Sequence, residues 1–232
     1  MEFMLLFLQR RGEPDGGPAC FAAMNELARE LAGRRMLRRG APLAAESSAA
    51  RVRVRNGKAF VSDGPYAETK EVLAGFWVIE VASREEAIDI ARRAPHAQFG
   101  IVEVHLLRMR DAVADSGEGT PFLFAFHREP GLTDPDGAKL REMLAFGDGL
   151  KRDRAFIETA PLALDPPPAR VTTRGKTLVV TDGPFAETKE GVGGYSLVRV
   201  ADRAQAVDLA TRYPHARWGP VEVREILFFD RT

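Results

Sequence analysis

Apolar residues recur along this chain in two rhythms, and the same succession of rhythms is written twice. Each half opens on a continuous apolar run, FMLLFL from Phe3 or FLFAF from Phe122, short enough for a strand. A helical period follows: Phe21, Met24, Leu27, Ala28 and Leu31 share one face, matched by Leu140, Met143, Phe146, Gly147 and Leu150. Asp134 before Pro135 reads as the cap and first residue of the second of these helices. RVRVRNGKAFVSDG and RVTTRGKTLVVTDG then predict hairpins, turning at Asn56-Gly57 and, more weakly, at Gly175-Lys176. GFWVIEV and GYSLVRV are further strands. Ser83 with Glu86, and Asp202 with Gln205, are capping boxes for a second helix that Pro95 or Pro214 stops. IVEVHLL and PVEVREILFF close the two units as strands.

This order, β-α-β(β)-β-α-β, is ferredoxin-like. Helices cover one face of such a sheet, yet FMLLFL, FWVIEV and FLFAF are apolar on both faces, as expected when both are buried. Two helix-backed sheets packed face to face satisfy this. The expected fold is therefore α+β: tandem ferredoxin-like repeats forming a pseudo-dimeric α+β barrel. The polar, aperiodic stretch from Met109 to Thr120 is the linker, so the units run over 1–110 and 121–232, joined by 111–120. The basic cluster RRMLRR at Arg34 and its counterpart KRDR at Lys151 fall where the first helix of each unit should end, a place that suits cations.

The second copy lies 119 positions after the first, without a gap, and a fixed period marks one structural unit written twice. Identity is uneven. DGPYAETKE from Asp63 and DGPFAETKE from Asp182 differ only at Tyr66/Phe185, while the helices match mainly in their apolar positions. Core patterning alone does not explain that concentration in a polar segment.

Composition narrows the function. At 232 residues the chain holds two domains, and 33 basic against 33 acidic residues leave no electrostatic reason to seek nucleic acid or an anionic membrane. The single cysteine, Cys20, excludes an internal disulfide and suits a reducing cytoplasm. No apolar run approaches a membrane span or a signal peptide, so the expected location is cytoplasmic. The four histidines show no metal-ligand spacing, and neither a metal nor another cofactor is implied. The partner expected is an unidentified small molecule; the intrachain pseudo-dimer leaves room for further homo-oligomers.

The DGPFAETKE motif, the glycine-aromatic strand after it and the closing PH-x-x-x-G-x-VEVR pattern (Pro214, His215, Gly219, Val221 to Arg224) resemble the DGPF group of YciI-related proteins. The first copy departs at Tyr66 and His105. The resemblance implies a dimeric α+β barrel and small-molecule enzymatic activity through an Asp/His pair. It alternatively implies a noncatalytic regulatory module linked to an extracytoplasmic-function sigma-factor pathway.

Strand alternation adds its own argument. The loop before the third core strand and the loop after the second helix share one end of a ferredoxin-like sheet. Asp63, Glu68, Lys70, Glu71 and His96 can therefore converge, as can Asp182, Glu187, Lys189, Glu190 and His215, with Glu103 and Glu222 close by on the last strands. A carboxylate beside an imidazole fixes its tautomer and tunes it for proton transfer. Asp63/His96 and Asp182/His215 are the expected catalytic pairs, and the other residues the expected ligand contacts. The structural alternatives are an Asp-Gly-Pro turn, exposed ion pairs and a histidine that satisfies helix carbonyls. Enzyme and binder share all these features.

Overall fold

The computed structural model describes residues 1–66, 70–115, 117–129, 131–183 and 191–227. Its first half runs β1 (Glu2–Arg10), α1 (Gly17–Gly33), β2 (Leu37–Pro42), β3 (Ala50–Arg55), β4 (Lys58–Asp63), β5 (Glu71–Glu80), α2 (Arg84–Arg93) and β6 (Ile101–Leu106). After a two-residue β7 (Asp111–Ala112), the second half repeats the series. It comprises β8 (Thr120–Arg128), α3 (Ala138–Arg152), β9 (Phe156–Pro161), β10 (Ala169–Arg174), β11 (Thr177–Asp182), β12 (Gly191–Val200), α4 (Arg203–Arg212) and β13 (Val221–Glu225).

These strands form two antiparallel sheets, ordered β11-β10-β6-β1-β5-β2 and β4-β3-β13-β8-β12-β9-β7. Within each, four strands of one half keep the ferredoxin-like order: β6-β1-β5-β2 and β13-β8-β12-β9. The hairpins are exchanged. β3 and β4 of the first half extend the second sheet through Val52↔Val221, and β10 and β11 of the second half extend the first through Val171↔Val102. The expectation that each repeat keeps its own hairpin is thereby corrected. A hairpin's sequence specifies its turn and its inner pairing, but the outer edge of β3 fits β6 or β13 equally well in pattern.

Three further readings change. The strands β2 and β9 were not foreseen, because LRRGAP and the residues after KRDR carry no strand period; the basic cluster ends α1 at Gly33 and then becomes a strand. Arg35 and Arg154 make the turn with positive φ, where glycine is usual. Helix α3 starts at Ala138 rather than Pro135, although Asp134 still caps it by accepting from the amides of Lys139 and Leu140 at 2.9 and 3.0 Å. In α1, Leu27 and Leu31 are buried but Phe21 is 45% exposed.

Alternation within strands sorts the core into three layers. Phe3, Leu5 and Phe7 face α1 and α2, Phe122, Phe124 and Phe126 face α3 and α4, and Met4, Leu6, Leu123 and Ala125 meet between the sheets. Main-chain bonds join the sheet corners: Leu43 pairs with Ile226 and Leu107 with Leu162. Both capping boxes form, with Ser83 Oγ accepting from Glu86 N and Asp202 Oδ1 from Gln205 N. Among the described residues, no helix is long and apolar enough to cross a membrane.

Candidate functional site

Strand alternation decides which side chains enter the space between the sheets. On β6, Val102 and Val104 face the helices, so Glu103 and His105 face inward; on β13, Val221 and Val223 leave Glu222 and Arg224 inward. The hairpin exchange then delivers an arginine from the opposite half to each glutamate. Arg170 of β10 donates Nε–H to Glu103 Oε1 at 2.7 Å and grips both oxygens of Glu71 at 3.2 and 3.0 Å. Arg51 of β3 donates to Glu222 Oε2 from Nε and Nη2 at 3.3 and 3.2 Å. Two related Glu–Arg clusters result, each built from both halves.

An imidazole completes each cluster by a different route. In the first, His105 Nε2–H reaches Glu103 Oε2 at 2.8 Å from two residues along the same strand. In the second, His127 at the end of β8 makes the equivalent bond to Glu222 Oε2 at 3.0 Å across the sheet. Arg224 occupies the position that corresponds to His105, donating to Glu222 Oε1 at 3.2 Å and to the Ala44 carbonyl at 2.6 Å. Tyr66 of the first motif copy stacks beneath Arg51, 4.3 Å from guanidinium carbon to ring centre.

Burial alone would raise both glutamate pKa values. For Glu103 the His105 hydrogen bond and the Arg170 charge outweigh it, and for Glu222 the His127 bond with the Arg224 and Arg51 charges does so, so both carboxyls titrate below the usual range. Tyr66 is pushed up by burial and by Glu222, and stays a phenol. An ionised carboxylate accepting from Nε2 holds the imidazole in one tautomer and leaves Nδ1 as a lone pair. That arrangement can move a proton at Nδ1.

The expected Asp/His pairs are not assembled. Asp63 ion-pairs with Arg203 at the start of α4, and Asp182 with Arg84 at the start of α2. His96 and His215 lie beyond the opposite ends of those helices, in the short 3-10 turns Pro95–Gln98 and Pro214–Arg217. Because β3 runs antiparallel to β13, the Asn56-Gly57 turn rather than Asp63 points toward the His215 end. The exchanged hairpin reverses the geometry on which the pairing was based.

Both histidines are buried ties instead. His96 Nε2–H donates to the Leu8 carbonyl at 3.1 Å and packs on Phe7; His215 donates to the His127 carbonyl at 2.8 Å and packs on Phe126. Burial lowers the pKa of each, that of His215 to about 4. Lys70 is exposed, and its carbonyl accepts from Arg11 N. Glu68, Glu187, Lys189 and Glu190 lie outside the described residues.

Glu71, Glu103 and Glu222, expected as ligand contacts beside the Asp/His pairs, lie instead in these clusters, whose other members Arg51, Arg170, Arg224, His105, His127 and Tyr66 the sequence did not single out. Alternation in VEVHL and VEVR does put Glu103 with His105, and Glu222 with Arg224, on one face. Nothing local marks Arg51 or Arg170, which arrive only through the exchange. Two open surface hollows lie elsewhere, beside Arg34 and Glu80 and between α3 and α4 beside Phe146, and no cluster residue lines either.

Buried Glu–His–Arg groups inside paired ferredoxin-like sheets mark an α+β protein of the small-molecule-binding kind. The YCII-related domain family matches residues 1–110 and again 121–230, and the chain belongs to that family, as two tandem copies. An uncharacterised protein of Rhizobium meliloti (strain 1021) is 47% identical over 57 residues, which is 25% of this chain and 46% of that protein. The chain thus spans about half the length of the curated relative it matches. A solved structure assigned as a chlorite dismutase aligns over 98% of this chain and 94% of its own, with TM-score 0.41 and 9% identity.

Proposed function

We propose that this chain binds a small molecule between its two sheets, at the Glu–His–Arg clusters, and that the imidazole–carboxylate pairs serve as acid–base groups there. The two halves would then act as the two protomers of a pseudo-dimeric α+β barrel, a reading supported by the sheet-corner bonds at Leu43–Ile226 and Leu107–Leu162. The observation that carries the proposal is the cost of the clusters. Three carboxylates and three arginines gathered against a core otherwise lined by Met4, Leu6 and Leu123 are expensive to desolvate, and apolar residues would stabilise the scaffold better. The Asp/His pairing is replaced in this role by Glu103–His105 and Glu222–His127, whose bonds are formed.

A thermal-shift screen of metabolites tests the reading. A ligand at a hundredfold its Kd adds ~2.7 kcal/mol of stability. The expected result is a hit that raises Tm for the native chain and does not for Glu103→Gln/Glu222→Gln. Consumption of the hit, followed by chromatography, identifies an enzyme; persistence identifies a binder. Hits that shift the double variant equally place the ligand elsewhere and overturn the proposal.

A further inference from the structure

The two clusters are not copies. Their glutamates and cross-half arginines correspond at the 119-residue offset, but Leu8 and His105 of the first half become His127 and Arg224 in the second. This moves the imidazole to another strand and places a guanidinium in the position it vacates. In the first cluster Glu71 and Glu103 flank Arg170; Glu190, the counterpart of Glu71, lies outside the described residues. The second sets Arg51 and Arg224 around Glu222.

Hydrogen bonding separates them further. Arg224 Nε and His127 Nδ1 are buried without a partner, and no side-chain atom of Glu71, Glu103, His105 or Arg170 is in that condition among the described residues. His127 is 9% exposed and Arg224 1%. An unpaired guanidinium N–H inside a core is costly, and the natural remedy is an acceptor from outside the chain. The cluster grades outward through Arg51 and Tyr66, which are only partly buried.

From these observations, and resting on the binding reading above, we infer that the second-half cluster alone is an anion subsite for a small hydroxy-carboxylate. The ligand carboxylate accepts from Arg224 Nε–H, which a neutral ligand satisfies less well, since hydrogen bonds between charged partners are roughly twice as strong. Its hydroxyl donates to the His127 Nδ1 lone pair, whose tautomer Glu222 fixes. In the first half Leu8 offers no such group, and His105 stands where the second half has Arg224.

Glycolate, with glycolamide as its neutral counterpart, is the probe. In the 15N-labelled full chain, glycolate is expected to shift the Arg224 Nε–H and His127 ring resonances saturably, with glycolamide at least about tenfold weaker. His127→Leu/Arg224→His installs in the second half the pair with which the first half already folds. It is expected to keep a cooperative melt and to lose glycolate binding by about tenfold or more. Leu8→His/His105→Arg is expected to add a second, equivalent binding event. Should glycolate move His105 and Arg170 while leaving Arg224 unmoved, the assignment to the second half is wrong but the binding reading survives. Should millimolar glycolate move neither cluster, the anion subsite is refuted; the binding reading then stands or falls on whether a hit from the metabolite screen moves His105 or His127. If the transplanted pair prevents folding, the titration of the native chain decides alone.

Discussion

His215 and Asp182 carry the same motif logic in the sequence and opposite physical roles in the fold. The histidine is buried and donates to a main-chain carbonyl, whereas the Asp182 side chain is 63% exposed beside Arg84. Substitution should therefore separate them. Asp182→Asn is expected to change stability by less than about 1 kcal/mol, as for other exposed ion pairs. His215→Ala leaves the His127 carbonyl unpaired and opens space against Phe126, and should cost about 2–4 kcal/mol by denaturant titration. The pH dependence has a definite sign. His215 is lowered from 6.5 to about 4 by burial, so between those values the unfolded chain binds more protons than the folded one. Its contribution is complete above the unfolded pKa and is lost as pH falls through that window, by roughly 3 kcal/mol in all. Tm measured from neutral pH down to the acid end of the window should fall, and less steeply in His215→Gln, which keeps a donor but does not titrate. An unchanged slope in that variant would remove His215 from the account.

Between helix, strand and turn, the PH-x-x-x-G pattern has an explanation in packing. The 3-10 turn after α2 lays the His96 ring over Gly100, and the one after α4 lays His215 over Gly219. A methyl group at Gly100 would overlap both the Leu8 carbonyl oxygen and the His96 ring, and one at Gly219 the His127 carbonyl and the His215 ring. Neither backbone can retreat, because β1 and β8 are central strands. Gly100→Ala and Gly219→Ala are each expected to cost about 1–3 kcal/mol. Gly33→Ala, at the end of α1 with open space where its Cβ would go, should be neutral or slightly stabilising. Equal midpoints for all three variants in urea would show that the motif glycines have no packing role.

Across the whole molecule, equivalent positions have diverged into complements. Arg39 and Glu158 stand 119 positions apart and meet, Arg39 Nε to Glu158 Oε2 at 3.1 Å. Glu158 is fully buried and also accepts from Arg110 Nη1 at 3.0 Å and from the Tyr195 hydroxyl. Two first halves paired with each other would set arginine against arginine, and two second halves glutamate against glutamate. Each half therefore fits the other and not itself. Arg39→Glu should cost about 3–5 kcal/mol, since it leaves buried carboxylates facing each other. Adding Glu158→Arg should restore part of that loss, limited by Arg110. A double variant no more stable than the single one, in a double-mutant cycle of Tm and denaturant midpoint, would show that the pair is not coupled.

From the order of residues alone, the repeat, both capped helices α2 and α4, the proline stops and the two-faced burial of the strands were legible, because each depends on neighbours within about one turn or one strand. Alternation in VEVHL and VEVR sets Glu103 and Glu222 opposite the flanking valines, but which face turns inward is a fact of the fold. The fold decided the rest. β2 lacks a strand period because it is an edge strand whose Arg38 and Arg39 find partners elsewhere, Glu80 and Glu158. Asp63 and Asp182 became clasps, and Arg51 and Arg170 became site residues, through one event: each hairpin pairs with the last core strand of the other half. Both choices of partner strand satisfy the same local pattern, and only the packing of the two sheets against each other distinguishes them. The composition of the clusters is a tertiary fact, assembled from residues that no window of sequence contains together.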